Sequence, residues 1–222
     1  MDSKPDTINK KIKIIYQIIV GILLIALVIM GIYISKHYYL NVSYSSYTQH
    51  HLDLEMNYWK CKSSIIDAVE GYMKKKVSDH NLSAIIMLNN CDKYNIDVRL
   101  PMSQGFIESH YGTKGLARST NSVFGVGAFD GDPLNKILGI YKYKHPNQSI
   151  EPYLALLRNS YLKNLKTEKH LLNNFITLNG TRYASYDKYE QELQLVWNDI
   201  NLNTELDSLL DVYHSLKVEL GR

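Results

Sequence analysis

Cysteine is nearly absent from this chain: Cys61 and Cys91 are the only two among 222 residues. Two thiols are too few for a zinc site. On the outer side of a membrane they can pair as a disulfide, and the sequence leaves open whether they pair or stay reduced. A strong charge of one sign is also missing. The formal net charge is +3, and Lys74-Lys75-Lys76 is the only basic cluster. A nucleic-acid partner would ask for a broad basic face, so none is expected. Phosphate loops, dinucleotide glycine fingerprints and His-Glu-x-x-His zinc motifs are all absent. No metal or cofactor is therefore expected, and no internal repeat or low-complexity segment stands out. Phenylalanine is scarce (4) where tyrosine is abundant (18). Tyrosine offers a flat apolar ring with a polar tip, which suits stacking on sugars, although compositional bias explains most of the excess.

What the chain does have begins with one long apolar run. Residues 1–13 are polar and carry Lys4, Lys10, Lys11 and Lys13; residues 14–34 then hold no charge. A helix of that length, at about 1.5 Å per residue, spans a hydrocarbon core of about 30 Å. The lysines on its N-terminal side put the N-terminus in the cytoplasm and the rest of the chain outside. A retained signal anchor fits better than a cleaved signal peptide, because the run is long and lacks a small-x-small cleavage site. Residues 35–78 read as a tyrosine-rich connector followed by a helix through Leu52, Met56, Trp59, Ile65, Ile66, Val69 and Met73. That helix is either a stalk or the first helix of the domain core. The domain proper is set at residues 79–222.

Within the domain, the spacing predicts helices over Asp79–Tyr94, from Pro101 through Glu108, from Ser149 (as N-cap) to about Leu165, through Leu171, Phe175 and Leu178 to Gly180, through Tyr189–Ile200, and over Glu205–Glu219. Gly131-Asp132-Pro133 is a turn signal, and residues 137–144 form the one expected strand or hairpin. The fold class is mainly α, an α+β arrangement with a small β element, plus one N-terminal transmembrane helix. The stretch from Pro101 to Asp130 holds the chemistry. Glu108 lies near the end of a helix beside Phe106 and Ile107, and Gly112, Gly115, Gly125 and Gly127 follow. Burial would keep such a carboxyl protonated near neutral pH, as a sugar-cleaving general acid requires. A solvated surface glutamate is the plain alternative.

Glu108-Ser109-His110-Tyr111-Gly112, then Leu116-Ala117, then Asn121-Ser122-Val123-Phe124-Gly125, resembles the signature of the peptidoglycan glucosaminidases. These are the family 73 glycoside hydrolases, flagellar-type and Bax-like, with a lysozyme-like fold. The resemblance continues through Ser149–Tyr153 and through Tyr183-Ala184-Ser185 with Tyr189, so it covers about residues 80–202. It departs at Tyr186, where the family carries aspartate, and at Asp187, where it carries proline.

The resemblance implies that Glu108 protonates the glycosidic oxygen and that the Tyr183 hydroxyl lies in the groove near the substrate's N-acetyl group. The second carboxylate is less clear, since residues 126–148 contain no glutamate. Asp130 and Asp132 are the candidates there, unless they only shape the turn. Candidate substrate contacts are Tyr111, Asn121, Phe124 and Tyr189; a core role is open for Phe124, and a capping role for Asn121. His110 reads as a rim residue. The expected activity is endo-β-N-acetylglucosaminidase cleavage of peptidoglycan strands from the outer face of the membrane. A lytic transglycosylase, in which the sugar's own N-acetyl group does the displacement, and a catalytically weak wall-binding protein are the alternatives.

Overall fold

The computed structural model describes residues 5–126, 136–137, 139–163, 167, 171–172, 177–178, 181–184 and 187–222. The candidates Asp130 and Asp132 and the expected Gly131-Asp132-Pro133 turn lie outside them. The chain divides into two compact units, residues 1–56 and 57–222.

Helix α1 runs over Pro5–Lys76, with proline at its first position, where a missing N–H costs nothing. Lys74, Lys75 and Lys76 sit in its last turn, where the carbonyl end of the helix favours cations. In the 1–56 unit nearly every described side chain is exposed, from Ile15 through Leu40 and Val42 to Leu52 and Met56. Among the described residues α1 is the one helix long and apolar enough to cross a membrane, with a mean hydropathy of 2.9 in its most apolar window.

The 57–222 unit starts with the last five turns of α1. Ile65, Val69 and Met73 are fully buried there, with Tyr58, Cys61 and Tyr72 almost so. Of the two roles open to this stretch, the core helix is the one it takes. Cys61 and Cys91 are both buried thiols, and Cys61 donates to the Leu209 carbonyl at 3.3 Å.

Helix α2 covers Ala84–Tyr94, starting five residues later than the spacing predicts. His80 accepts a bond from the Leu82 N–H at 3.2 Å, and Asn147 accepts one from the Ser83 N–H at 2.8 Å, so residues 80–83 form a tethered entry loop. Asn95 stops the helix in the left-handed region, φ 49°, where asparagine is the best-tolerated residue after glycine.

Helix α3, Arg99–Ser109, buries Leu100, Pro101, Met102, Ser103, Gln104, Gly105 and Ser109. Its first half is covered on nearly every side, as in a central core helix. The four-residue helix α4, Ala117–Thr120, and a two-residue hairpin of β1 (Lys136–Ile137) and β2 (Ile140–Tyr141) follow. That hairpin is the expected β element.

Ser149 stands at the N-cap position of the next helix, as expected, but its side chain makes no cap bond there. It closes a 3-10 turn, Pro146–Ser149, whose cap is the His145 side chain. Helix α5, Ile150–Leu156, then widens into a π-turn over Leu157–Tyr161.

A second hairpin, β3 (Thr177–Leu178) with β4 (Thr181–Arg182), stands where the sequence reading ends a helix. Its register pairs Leu178 with Thr181, and the sequence between them is Asn179-Gly180. Asn-Gly is the strongest two-residue hairpin signal, and it outweighs the apolar spacing that favoured a helix. Helices α6, Tyr189–Asn203, and α7, Leu206–Glu219, complete the unit. The core joins α1, α2, α3, α5, α6 and α7 in one cluster that includes Ile65, Met87, Leu100, Leu154, Leu193 and Leu210. Helical predominance with two minimal hairpins agrees with the expected fold class.

Candidate active site

Glu108 sits in the last turn of α3, and the chain leaves that turn through two left-handed residues, His110 (φ 48°) and Tyr111 (φ 55°). The reversal is closed by the His110 N–H on the Phe106 carbonyl and the Tyr111 N–H on the Gly105 carbonyl, both 2.9 Å. Next to the acid, the buried Ser109 ties the helix end to the following loop. Its hydroxyl donates to the Val123 carbonyl at 2.8 Å and accepts from the Gly112 N–H at 2.8 Å. From the other side Ser149 accepts the Val123 N–H at 3.3 Å and donates to the Pro146 carbonyl at 2.7 Å. Both serines are therefore fasteners for the Val123-Phe124-Gly125 segment.

That segment can approach α3 closely because Gly105 has no side chain. A Cβ there would stand 3.2 Å from Phe124 Cε1 and 3.3 Å from Tyr111 Cδ1. The approach brings Gly125, itself at φ +62°, beside the acid: its Cβ position is 3.8 Å from Glu108 Oε2. A Cβ would fit there by distance, so it is the left-handed backbone that calls for glycine.

Behind Glu108 lies a set of hydrogen-bonded side chains from three helices. The Tyr189 hydroxyl, at the start of α6, donates to Glu108 Oε1 at 2.9 Å. Gln104, one turn before Glu108 on α3, donates to the Tyr189 oxygen at 2.9 Å. The Tyr153 hydroxyl, from α5, donates to Gln104 Oε1. Tyr183 joins this group: its hydroxyl hydrogen-bonds Tyr189 and Gln104, and its ring lies 5.7 Å from that of Tyr189 and 5.0 Å, edge-on, from that of Tyr161. At the far end of α3, Arg99 bonds Asn201 at 2.9 Å and Asp207 at 2.6 Å and lies over the Trp197 ring at 4.6 Å. The acid-bearing helix is thus fixed at both ends against α6 and the start of α7.

Electrostatics follow from this packing. Glu108 is exposed at the solvent boundary, yet enough protein lies around its carboxyl to desolvate it in part. That desolvation raises its pKa above the ordinary 4.5, and the Tyr189 hydrogen bond opposes the rise. Burial, then the Glu108 charge, also holds the Tyr183 hydroxyl above its ordinary range. For His110 burial comes first and the nearby Lys114 second, and both lower its pKa.

Glu108, Tyr183 and Tyr189 are brought together as the sequence motifs imply. Tyr111, Phe124 and Asn121 are placed otherwise. Tyr111 is 1% exposed and packs edge-on to His80, so it offers no face to a sugar. Phe124 is buried and stacks on Tyr153, centroids 4.0 Å apart and planes within 10°; it takes the core role. Asn121 turns the chain at φ 56°, and its side chain donates to the Tyr143 carbonyl at 2.9 Å. Gln104 and Tyr153 were missed as site residues. A polar residue four positions before the candidate acid, on a face otherwise apolar, was the available signal for Gln104. Nothing in spacing marks Tyr153.

No curated protein matches the sequence. Among solved structures, the catalytic domain of the autolysin Auto from Listeria monocytogenes is similar at 20% identity. The likeness covers 61% of this chain and 86% of that one, with a TM-score of 0.39. A family model described as mannosyl-glycoprotein endo-beta-N-acetylglucosaminidase matches residues 84–202. That range holds Glu108, its loop and its tyrosines, and it is more than half the sequence: the chain belongs to the glucosaminidase family of glycoside hydrolases.

Proposed function

We propose that this protein is a membrane-anchored endo-β-N-acetylglucosaminidase that cleaves peptidoglycan glycan strands, with Glu108 as general acid. The carrying observation is the setting of that carboxyl: it is partly desolvated, held on Oε1 by Tyr189, and has the Gly125 backbone near Oε2. A carboxyl in such a setting keeps its proton closer to neutral pH and gives it up as the C1–O bond breaks. Tyr189 orients the acid, and Tyr183 is assigned, by the resemblance of its motif, to the N-acetyl group or the developing positive charge.

For the second catalytic group this reading has two sources. Asp130 or Asp132 can activate water, or the sugar's N-acetyl group can displace the leaving group itself. Purified peptidoglycan digested by the full-length chain in detergent should yield fragments with reducing N-acetylglucosamine ends, read by mass spectrometry. Anhydro-sugar ends would convert the assignment to a transglycosylase. No release above that of Glu108→Gln, with glycan still bound, would leave a binding protein. The Asp130→Asn/Asp132→Asn double variant decides the second group: a loss of about a hundredfold or more puts water activation on these aspartates, and near-parental turnover puts it on the N-acetyl group.

The apolar run over residues 14–34 serves in this reading as a single-pass anchor, N-terminus in the cytoplasm and enzyme unit on the outer side. Protease added outside intact, wall-stripped cells should degrade residues 57–222. Protection of that part until the cells are opened would reverse the topology.

A further inference from the structure

The geometry points to Gln104 as a positioning residue: held by Tyr153, its amide turns the Tyr189 hydroxyl toward Glu108 and so leaves Oε2 as the oxygen bearing the transferable proton. This rests on the reading of Glu108 as the acid.

Gln104 is 0% exposed, an expensive place for an amide unless its groups are bonded. It lies four residues before Glu108, hence on the same helix face. A neutral amide has one accepting oxygen and two donor hydrogens. Here the oxygen takes the Tyr153 proton, and a nitrogen hydrogen goes to the Tyr189 oxygen. With that oxygen occupied as acceptor, the single Tyr189 proton is directed to Glu108 Oε1. Protonated Glu108 can therefore keep Oε1 as an acceptor only by carrying its own proton on Oε2, beside Gly125.

Turning the amide over would run the relay backwards. Tyr189 would then donate to Gln104, and Glu108 would have to donate into the wall of the site rather than toward a sugar. The orientation of one buried amide thus selects which carboxyl oxygen can protonate the substrate. Tyr153 is suited to hold that orientation, since it is fully buried and its ring is clamped against Phe124.

Among the described residues, the titratable groups facing Glu108 are Tyr189 from α6, Tyr183 after β4 and Tyr153 from α5. Burial keeps all three hydroxyls protonated well past neutral pH. His110, two residues along the chain, packs against Phe106 with centroids 4.6 Å apart. None of the three tyrosines changes charge in the range where the acid works, so a shift of the alkaline limb reports on Glu108.

The test is a double-mutant cycle in the full-length, detergent-solubilised enzyme, with peptidoglycan turnover measured against pH. Gln104→Leu should lower kcat about tenfold with KM held within about twofold, and Tyr189→Phe should lower kcat by as much or more. Both should move the alkaline limb of kcat/KM to higher pH, because each weakens a bond that favours the carboxylate form. The double variant should match Tyr189→Phe within about twofold, since the inference routes the effect of Gln104 through that hydroxyl and not through its further bond to Tyr183.

Folded Gln104→Leu with parental kcat and limb, or losses that multiply in the double variant, would overturn the inference. If Gln104→Leu does not fold, Tyr153→Phe decides: it keeps the stacked ring and removes the hydroxyl. A drop of about threefold or more in kcat with the same limb shift supports the relay, and parental behaviour refutes it. Glu108→Gln separates the two levels. Should it turn over like the parent, the acid assignment itself falls; should it be inactive while the Gln104 and Tyr153 variants behave as the parent, only the relay falls.

Discussion

Glu108→Gln is expected to reduce kcat about 10²- to 10⁴-fold, the usual contribution of a positioned general acid, while KM changes little. The substitution keeps the shape of the side chain and an oxygen that can accept the Tyr189 hydroxyl, so the local packing and its hydrogen bond survive. What disappears is the proton. Steady-state release of reducing ends measures the loss, and a variant within tenfold of the parent would remove Glu108 from the chemistry. The same substitution has a stability signature of opposite sign. Desolvation puts the folded-state pKa of Glu108 above its ordinary 4.5. Below that ordinary value both folded and unfolded chains hold the proton, and the group costs nothing. As pH rises toward and through the raised folded pKa, the unfolded chain releases its proton more readily, and the folded state loses stability relative to it. Glutamine never ionises. Melting curves should therefore show the variant more stable than the parent at pH 7–8 and equal to it near pH 4. An advantage that stays constant across this range would mean that the carboxyl charge is not its cause.

The acid and its loop were legible in the sequence because they are local. Glu108, the glycines after it and the apolar spacing of Tyr189, Leu193 and Ile200 all lie within short windows. The hydrogen bonds that organise the acid are not local. Tyr153 and Gln104 are separated by 49 residues, Gln104 and Tyr189 by 85, and Tyr189 and Glu108 by 81. Periodicity carries no information on such pairs, so Gln104 is not singled out by the sequence; Tyr111 reads as a substrate contact and Phe124 as either a contact or a core residue, and packing buries both. Ser149 shows the same limit in another form. Its residue type favours a helix cap, yet its hydroxyl bonds Pro146 and the active-site loop instead. At Leu178 local signals competed, and Asn179-Gly180 decided for a hairpin. The start of the domain was left open for a simpler reason: an apolar face through Leu52 and Met73 suits a stalk as well as a core helix, and only the packing against it decides.

That undecided start carries the second large effect. A chain beginning at residue 79, the boundary expected from sequence, should fail to fold cooperatively, whereas one beginning at residue 57 should fold. Ile65, Val69 and Met73 are 0% exposed in the core, and burying side chains of this size contributes roughly 2 kcal/mol each. Their loss alone approaches the whole stability of an ordinary domain, about 5–15 kcal/mol. Polar ties go with them. Tyr72 donates to Asp199 at 2.6 Å and Lys76 pairs with it at 2.7 Å. Tyr58 and Tyr213 share a buried hydrogen bond of 3.1 Å, and Tyr213 donates to Asp92 at 2.6 Å. Without the helix, α2, α6 and α7 would face water along an apolar seam, and α6 is the element that presents Tyr189 to the acid. Far-UV circular dichroism, dye binding and thermal melts of the two fragments test this. The 79–222 fragment should bind a hydrophobic dye and melt without a sharp transition, and the 57–222 fragment should melt in one step. A sharp transition for 79–222 at the same temperature would show that residues 57–76 are a stalk after all, and that the acid's supporting helices hold together without them.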